Sequence, residues 1–217
     1  TINFLDLTLF CIYTVSILVY SYLMPKKIIL VTPPSRIHVY QNLTHILVAK
    51  EIPVWSCLIS NFLRRNDIET EILDAEALGL TCDETAERLS KYEDSLVVFV
   101  VYGHQPSAST QCMPAANKTA EKLSELNSEI PTLIIGTHPS ALPKTTLKEK
   151  KFKYVCQGEG PSTTLNLFKY LNGKIKLNEV PGLYYYDQSG EIKLNKSAQL
   201  IENLDVELSG QDFHLLD

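Results

Sequence analysis

The sequence lacks the short motifs that mark several common classes of enzyme. It contains no G-x-S-x-G nucleophile elbow, no loop ending in G-K-[ST] and no G-x-G-x-x-G after its first apolar run. Pro33 and Pro34 stand where a dinucleotide fold carries its glycine-rich turn. These absences argue against a serine hydrolase, a P-loop nucleotide site and an ordinary dinucleotide-binding site.

Paired cysteines are also absent. The five cysteines are widely scattered, with no C-x-x-C and no C-x-x-x-C-x-x-C (Cys11, Cys57, Cys82, Cys112 and Cys156). An odd, scattered set indicates a reducing compartment and argues against a disulfide framework, a zinc site or an iron–sulfur site within this chain. We interpret all five as free thiols that are buried or half-buried.

Basic residues form no patch or stripe. The 217 residues carry a net charge of −5, and acidic and basic side chains are interspersed, so nucleic acid is not the favoured partner. The length is enough for one α/β domain with an appendage.

The first 23 residues differ in composition from the rest. Leu7–Met24 is a run of 18 residues without a charge, followed by Pro25 and two lysines. Its length is close to that of a membrane-spanning helix, and the lysines suit a cytoplasmic flank. A signal peptide fits less well, because neither a basic n-region nor a small-residue cleavage site is present. A third interpretation is that residues 1–23 are translated upstream sequence, because "MPKKIILVTPP" from Met24 looks like the natural start of an α/β domain.

From Lys27 onward, short apolar runs alternate with amphipathic segments. Helices are predicted between the apolar runs, one after Pro53 with Trp55 on its buried face and one after Pro161 that ends at Gly173. The alternation predicts an α/β fold of the flavodoxin-like (Rossmann-like) class, with a doubly wound parallel five-stranded sheet in the order 2-1-3-4-5. The apolar runs place its strands at 27–32, 68–74, 95–101, 131–137 and 153–158.

The pattern changes near the C-terminus. Residues 181–195 form two alternating runs around a turn at Asp187–Gly190, which predicts a β-hairpin. The final stretch, "NLDVELSGQDFHLLD", has no clear period, and we interpret it as an extended linker.

Three loops after predicted strands share one composition. Each places a Gly within a few residues of the strand end and then a Pro-Ser pair, at 106–107, 139–140 and 161–162. Gly permits close backbone approach, Pro stiffens the turn, and hydroxyl groups both donate and accept hydrogen bonds. Because the carboxyl ends of parallel strands meet at one edge, these loops predict a cradle for a large polar ligand near the switch point of the sheet. The alternative is three ordinary turns with helix caps.

Two of the five histidines lie in these loops. His104 follows the third strand and His138 the fourth, so both are candidates for contact with a ligand. Glu159 precedes the last helix, where a carboxylate either favours the helix N-terminus or contacts the ligand. The remaining three are interpreted as surface or hydrogen-bonded residues (His38, His45 and His214).

Six segments follow one another in a specific order: "KIILVTPP", "VVYGHQPSASTQ", "IIGTHPSALP", "YVCQGEGPSTTL", "PGLYYYDQSGEIKLN" and "IENLDVELSGQDFHLL". In this order they resemble the N-terminal cobalamin (vitamin B12)-binding domain of cobalamin-dependent radical SAM proteins, over residues 24–217. The resemblance implies a flavodoxin-like domain that packs against one face of the corrin ring of cobalamin. The nucleotide tail of the cofactor would run between the sheet and a flanking helix.

The resemblance also implies a division of the chain. Residues 1–23 form the apolar segment, residues 24–175 the cobalamin-binding domain, and residues 176–217 the hairpin and a linker toward a missing radical SAM barrel. S-adenosylmethionine and a [4Fe–4S] cluster would bind only in that barrel, so this chain is not expected to be catalytic alone. The expected location is the cytoplasm, or a membrane surface if residues 1–23 form an anchor.

The first loop departs from the better-known cobalamin modules. Those modules carry D-x-H-x-x-G, whose His is the lower cobalt ligand, whereas this loop reads "TPPSRIHVYQN" and has Arg36 two residues before His38. Radical SAM members of the family often lack this His, so we expect no His ligand to cobalt, with His38 and His104 as minority candidates.

The resemblance assigns candidate residues to both parts of the cofactor. The corrin-facing candidates are Ser35, Arg36, Tyr102, Gly103, His104, Ser107, Ser109 and Thr110. Those facing the nucleotide tail are Gly136, Thr137, His138, Pro139, Gln157, Gly158, Glu159 and Gly160. Two other functions stay open, namely a flavodoxin-like binding or regulatory module for another ligand such as a nucleotide, and a membrane-anchored interaction domain.

Overall fold

The computed structural model describes residues 24–36, 39, 51–103 and 106–216. Expectations for residues 1–23, His38, His45 and His104 lie outside this part of the chain. Within it, seven strands form one sheet in the order β2-β1-β3-β4-β5-β6-β7. The strands are β1 (Lys27–Thr32), β2 (Glu69–Asp74), β3 (Ser95–Val100), β4 (Thr132–Ile135), β5 (Tyr154–Cys156), β6 (Leu183–Tyr186) and β7 (Ile192–Leu194).

The first five strands are parallel and confirm the predicted order 2-1-3-4-5. β1 lies between β2 and β3, with Leu30 opposite Ile72 on one side and Val98 on the other. All six residues of β3 are buried, as expected for a parallel strand covered on both faces.

The sheet has two strands more than the five predicted, because the predicted hairpin belongs to the same sheet. Val155 of β5 pairs with Tyr184 of β6 in antiparallel register, and β7 then pairs with β6. The hairpin therefore extends the five parallel strands to seven and covers the edge that β5 would otherwise expose. Its turn lies at Asp187–Gly190 as predicted, and Gly190 has a φ of 80°, a conformation that favours glycine.

Helices cover both faces of the sheet. α1 and α6 bury Ile59, Leu63 and Phe168 on one face, and α2 and α3 bury Leu89 and Leu123 on the other. The described helices are α1 (Val54–Arg64), α2 (Cys82–Leu89), α3 (Pro106–Leu126), α4 (Thr137–Ala141), α5 (Pro143–Lys148), α6 (Pro161–Leu171) and α7 (Leu204–Glu207). In the described part of the chain, two 3₁₀ turns cover Leu177–Glu179 and Phe213–Leu215.

Local signals account for the ends of two helices. Thr81 and Glu84 form a capping box at the start of α2, and the Thr81 backbone N–H and hydroxyl that bond Glu84 hold the pKa of its carboxyl below the usual range. Gly173 follows α6 with a φ of 68°, which confirms the predicted glycine stop.

The C-terminal stretch is not the extended linker predicted from its lack of period. It contains the short helix α7 and a 3₁₀ turn, and it folds back against α1, where Leu208 and Asp212 are buried. The contacts that hold it join residues about 150 positions apart, so no local pattern announces them.

In the part of the chain that the structure describes, no helix has both the length and the apolar character needed to cross a membrane.

Candidate functional site

The loops that follow β1, β3, β4 and β5 all lie at the C-terminal edge of the sheet. β1 and β3 are neighbours in the sheet although β2 lies between them in sequence. The direction in which successive strands are added to the sheet therefore reverses between β1 and β3, which is the switch point of the fold. Open α/β sheets bind ligands at such a switch point. The candidate residues that the structure describes lie in these four loops or in the helices that follow two of them, at the start of α3 and in α4.

The first loop is fastened to the turn after β2 through one carboxylate. Glu76 accepts hydrogen bonds from the backbone N–H of Arg36 at 2.7 Å and from the Ser35 hydroxyl at 3.3 Å. The Arg36 guanidinium pairs with the same carboxylate at 2.8 Å, and both side chains are largely buried. The Cys112 thiol donates to the Ser35 hydroxyl at 3.5 Å. Glu76 was not among the predicted residues, and it orients both candidates of this loop.

Ser109 braces the third loop against the fourth. Its hydroxyl donates to the carbonyl oxygen of Val101 and accepts the backbone N–H of His138 at 3.0 Å. The Ser109 side chain is fully buried and both of these bonds are internal, so its role in the structure is to hold two loops together. The neighbouring Thr110 is exposed and shares a 2.9 Å hydrogen bond with Nδ1 of His138.

Close packing explains two glycines of the cradle. A Cβ on Gly136 would lie 2.5 Å from the carbonyl oxygen of Val101, and one on Gly103 would overlap the Cβ of Ala108. Gly160 has a φ of 95° and packs against Ile135. Gly136 and Gly103 need glycine because Val101 and Ala108 lie too close to leave room for a Cβ, whereas at Gly160 the positive φ favours glycine.

Hydrogen bonds join the fifth loop to the third and fourth loops. The backbone N–H of Gly158 donates to the Ser140 hydroxyl at 2.9 Å, and the Tyr102 phenol donates to the carbonyl oxygen of Glu159 at 2.8 Å. The Glu159 carboxylate accepts the backbone N–H of Ile201 at 2.7 Å. Burial raises the pKa of the Tyr102 phenol, and Cys156 and Glu159 add to the effect, so the phenol stays a neutral donor.

An aromatic pair forms one wall of the edge. The rings of Trp55 and Tyr102 are stacked, with centroids 4.4 Å apart and an angle of 22° between their planes. Trp55 lies in the first turn of α1. The sequence predicted it on the buried face of this helix, but the residue is only half-buried. Sequence reasoning missed its position beside the loops, although it is the single tryptophan of the chain and directly follows the helix start.

Several polar groups at this edge are available to a ligand. The Thr137 hydroxyl oxygen is buried and has no hydrogen-bond partner among the described residues. Gly158 has a φ of 122°, and a Cβ built on it would meet no atom nearer than 3.7 Å, so its backbone is approachable. Ser107 is exposed, Gln157 is half-buried, and Pro139 is buried. No group of three or more His, Cys, Asp or Glu side chains suited to a metal ion occurs within the described ranges.

Comparison with known proteins gives one family and several relatives. The family model of the B12 binding domain matches residues 47–168. The 4'-phospho-dehydrooxetanocin synthase of Priestia megaterium is 25% identical over 140 residues, which are 63% of this chain and 18% of that protein. An uncharacterized methyltransferase of Pyrococcus horikoshii is 24% identical over 180 residues, 82% of this chain and 36% of that protein.

A solved structure shares the fold. It is that of the cobalamin-dependent S-adenosylmethionine radical enzyme OxsB with aqua-cobalamin and S-adenosylmethionine bound. It superposes with a TM-score of 0.59 and 21% identity over 87% of this chain and 24% of OxsB. The chain thus spans 18% to 36% of the length of these relatives.

Proposed function

Since this chain belongs to the B12-binding domain family, whose model matches more than half of its residues, we propose that it holds cobalamin at the C-terminal edge of its sheet for a cobalamin-dependent radical SAM enzyme. The observation that carries the proposed site is the set of four loops that meet at the switch point, three of which, after β3, β4 and β5, are cross-linked by internal hydrogen bonds. A preorganised rim of this kind lowers the entropy cost of binding a large ligand.

The polar groups of the rim fit the chemistry of cobalamin. The corrin ring carries peripheral amides, and the nucleotide tail carries a phosphate and hydroxyls, all of which need hydrogen-bond partners. The unpartnered Thr137 hydroxyl and the exposed Thr110 hydroxyl offer such partners, and the open space beside Gly158 leaves room for a ligand to approach the fifth loop. A buried hydroxyl without a partner is costly, so a ligand group that bonds Thr137 would stabilise the bound state.

The nucleotide tail fits the face of the sheet that carries α1 and α6. Both helices begin at the C-terminal edge, so their free backbone N–H groups point toward a ligand that enters there. The stacked rings of Trp55 and Tyr102 present an apolar surface suited to a planar base. The buried hydroxyl of Thr164, on the first turns of α6, also has no hydrogen-bond partner among the described residues.

We expect the first loop to support the corrin ring and to supply no His ligand to cobalt. Ser35 and Arg36 are held by Glu76, which fixes this loop to the turn after β2. When bound, cobalamin supplies a cobalt centre that relays a methyl group or supports another radical-initiated step. His38 and His104 lie outside the described residues, so their exclusion as cobalt ligands stays a prediction.

The relatives support a proposal about the wider enzyme. Two of them are a methyltransferase and a cobalamin-dependent radical enzyme, and each is several times longer than the segment that matches. We therefore place S-adenosylmethionine and the [4Fe–4S] cluster in a radical SAM domain, with residues 24–175 as the cobalamin-binding domain and 176–217 as the connection to that domain. Methyl transfer is the reaction class that these relatives favour.

Retention of the cofactor tests the proposal. The full chain is mixed with hydroxocobalamin and desalted, and the visible spectrum of the protein fraction is recorded. We expect corrin absorbance to stay with the wild-type chain. Ser107→Trp places a large ring on the rim, and steric exclusion should weaken binding at least about tenfold.

Ser124→Trp is the matched control. Ser124 is exposed on the same helix, α3, and lies about 26 Å from Ser107 along the helix axis, so the substitution should leave retention unchanged. Circular dichroism verifies that both variants fold. A wild-type chain that retains no corrin but retains flavin mononucleotide or ATP would contradict the proposal and favour another nucleotide ligand. Equal retention by both variants would place the cofactor elsewhere.

A further inference from the structure

Residues 196–216, called the clasp segment below, run from the fifth loop to α1. The segment starts where the carbonyl oxygen of Lys196 accepts the backbone N–H of Gly182 at 2.7 Å. Five residues later the backbone N–H of Ile201 donates to the Glu159 carboxylate at 2.7 Å. The beginning of the clasp segment is therefore bonded to a loop of the proposed cobalamin site.

The segment then fastens to the outside of α1. The Arg65 guanidinium, just after the last residue of α1, donates to the carbonyl oxygen of Val206 at 2.9 Å and to the Ser209 hydroxyl at 2.7 Å. Gly210 packs so closely on Asn61 that a Cβ would lie 2.9 Å from its side-chain amide. Leu208 is buried, so the contact is apolar as well as polar.

Asp212 is the central contact of the clasp segment. Its side chain is 8% exposed, and its carboxylate accepts hydrogen bonds from the Ser60 hydroxyl at 2.9 Å and from the Asn61 amide at 3.3 Å. The Arg64 guanidinium lies 3.8 Å away. The Ser60 hydroxyl also bonds Thr70 of β2 at 2.8 Å, so Asp212 joins the clasp segment to α1 and to the sheet. A buried carboxylate is tolerated only where such partners surround it.

The contacts join the fifth loop, Tyr102, α1 and the clasp segment into a closed ring on one side of the site. Glu159 holds the start of the clasp segment and accepts the phenol of Tyr102, which stacks on Trp55 of α1. The same helix carries the partners of Asp212, which return the circuit to the clasp segment. Movement of α1 away from the loops therefore requires the clasp segment to release.

We propose that the clasp segment sets the residence time of bound cobalamin, with Asp212 as a positioning residue that keeps α1 closed on the cofactor. The inference rests on the proposed function, because it assumes that the nucleotide tail lies beside α1. Cobalamin leaves only when α1 and the fifth loop separate, and the Asp212 contacts oppose that separation. Loss of these contacts speeds dissociation more than it slows association.

Dissociation kinetics test the inference. The full chain is loaded with radiolabelled cyanocobalamin and chased with an excess of unlabelled cofactor, and the bound label is followed over time. We expect Asp212→Ala to release cofactor about tenfold faster, the effect of losing roughly one charge-assisted hydrogen bond from the closed state. Asp212→Asn keeps an acceptor for Ser60 and should restore most of the residence time. Asp205→Ala changes an exposed acid of the same segment and is the matched control.

The labelling rate of the Cys57 thiol provides a second test, which detects detachment of the clasp segment from α1 in the absence of cofactor. Its carbonyl oxygen accepts the backbone N–H of Asp212, and burial, then Asp212 and Asp74, raise the pKa of its thiol to about 11. In Asp212→Ala the thiol loses one of these charges and part of its cover. N-ethylmaleimide should therefore label Cys57 faster than in the wild-type chain, as measured by peptide mass spectrometry.

The outcomes separate the inference from the proposed function. If the wild-type chain retains cobalamin but Asp212→Ala releases it at the wild-type rate, the clasp is refuted and the binding function stands. If the wild-type chain retains no cobalamin, the proposed function fails first. If Asp212→Ala does not fold, Arg65→Ala makes the same comparison, because Arg65 is exposed and bonds the clasp segment. An unchanged release rate in Arg65→Ala would then refute the clasp.

Discussion

The phenol of Tyr102 donates a 2.8 Å hydrogen bond to the carbonyl oxygen of Glu159. The bond spans the width of β4, since Tyr102 follows β3 and Glu159 follows β5. It connects two loops that carry candidate residues of the proposed cobalamin site, and the same ring stacks on Trp55. The shape of the site therefore depends on a contact between residues 57 positions apart in sequence.

Tyr102→Phe is expected to weaken cobalamin binding several-fold and to lower the free energy of unfolding by about 1 kcal/mol, because the Glu159 carbonyl loses its partner. Equilibrium titration with hydroxocobalamin and urea unfolding measure the two effects. Tyr186→Phe is the control, since its phenol also bonds a backbone carbonyl, that of Leu147, but in the hairpin. A Tyr102→Phe affinity equal to that of the control would contradict the expected role.

Gly136→Ala is expected to destabilise the chain by about 1–3 kcal/mol and to impair cofactor retention, because the new Cβ would lie 2.5 Å from the Val101 carbonyl oxygen. The fourth loop cannot move away without breaking the Ser109 brace to His138. Gly79→Ala is the control, because it introduces backbone strain at a positive φ without a steric overlap. Gly79 has a φ of 65° but no atom within 4 Å of the added Cβ, so it should cost about 1 kcal/mol and spare retention.

Asp187 should make the hairpin sensitive to acid. The Ser189 hydroxyl, the Glu191 backbone N–H and Lys193 lower the pKa of its carboxyl to about 2. Because the folded-state pKa is depressed, this stabilisation is present above the usual value near 4 and is lost as the pH falls toward 2.

Thermal unfolding at different pH values measures this effect. Asp187→Ala should lower the melting temperature at pH 7, and the difference from wild type should shrink at pH 2.5. Asp205→Ala, an exposed acid outside the hairpin, should show no such trend. A difference at pH 2.5 as large as that at pH 7 would refute the assignment.

Thiol labelling should report on the first loop. Cys156 is fully buried, and burial raises the pKa of its thiol to about 11, so N-ethylmaleimide at pH 7.5 should leave it unlabelled. Cys112 is half-buried and bonds Ser35, a candidate for contact with the corrin ring, so it should label first among the four cysteines that the structure describes.

Hydroxocobalamin should protect Cys112, because a corrin ring over the first loop covers the approach to this thiol. Peptide mass spectrometry with and without the cofactor measures the protection, and Cys82, which is buried beneath α3, is the internal reference. Identical Cys112 labelling in both samples would argue that the corrin ring does not cover this loop.

The parallel part of the sheet could be predicted because its signals are local. The uninterrupted apolar run at 95–101 indicates a strand buried on both faces, and Pro161 and Gly173 mark the ends of α6 within one or two residues. The seven-stranded sheet could not be predicted in the same way. The alternation of β6 indicates a strand, but pairing with β5 depends on which edge is free in the folded molecule.

The predicted cradle mixed two kinds of residue that look alike in sequence. Ser109 and Thr110 are adjacent hydroxyl residues near the start of α3, yet the first is buried and joins two loops, whereas the second is exposed at the rim. Glu159 was expected to favour a helix or to contact a ligand, and its carboxylate bonds the clasp segment. Only the direction of each side chain separates these roles, and that direction follows from packing.

The sequence by itself determined the strand and helix pattern, the positions of the loops and the family to which the chain belongs. These properties depend on residues that are close together in the sequence, because the hydrophobic period and the residues typical of turns are local features. The tertiary structure alone decided that the hairpin continues the sheet, that Glu76 orients the first loop and that Asp212 fastens the clasp segment to α1. Such contacts join groups far apart in the chain, and they form only when the packed core has brought those groups together.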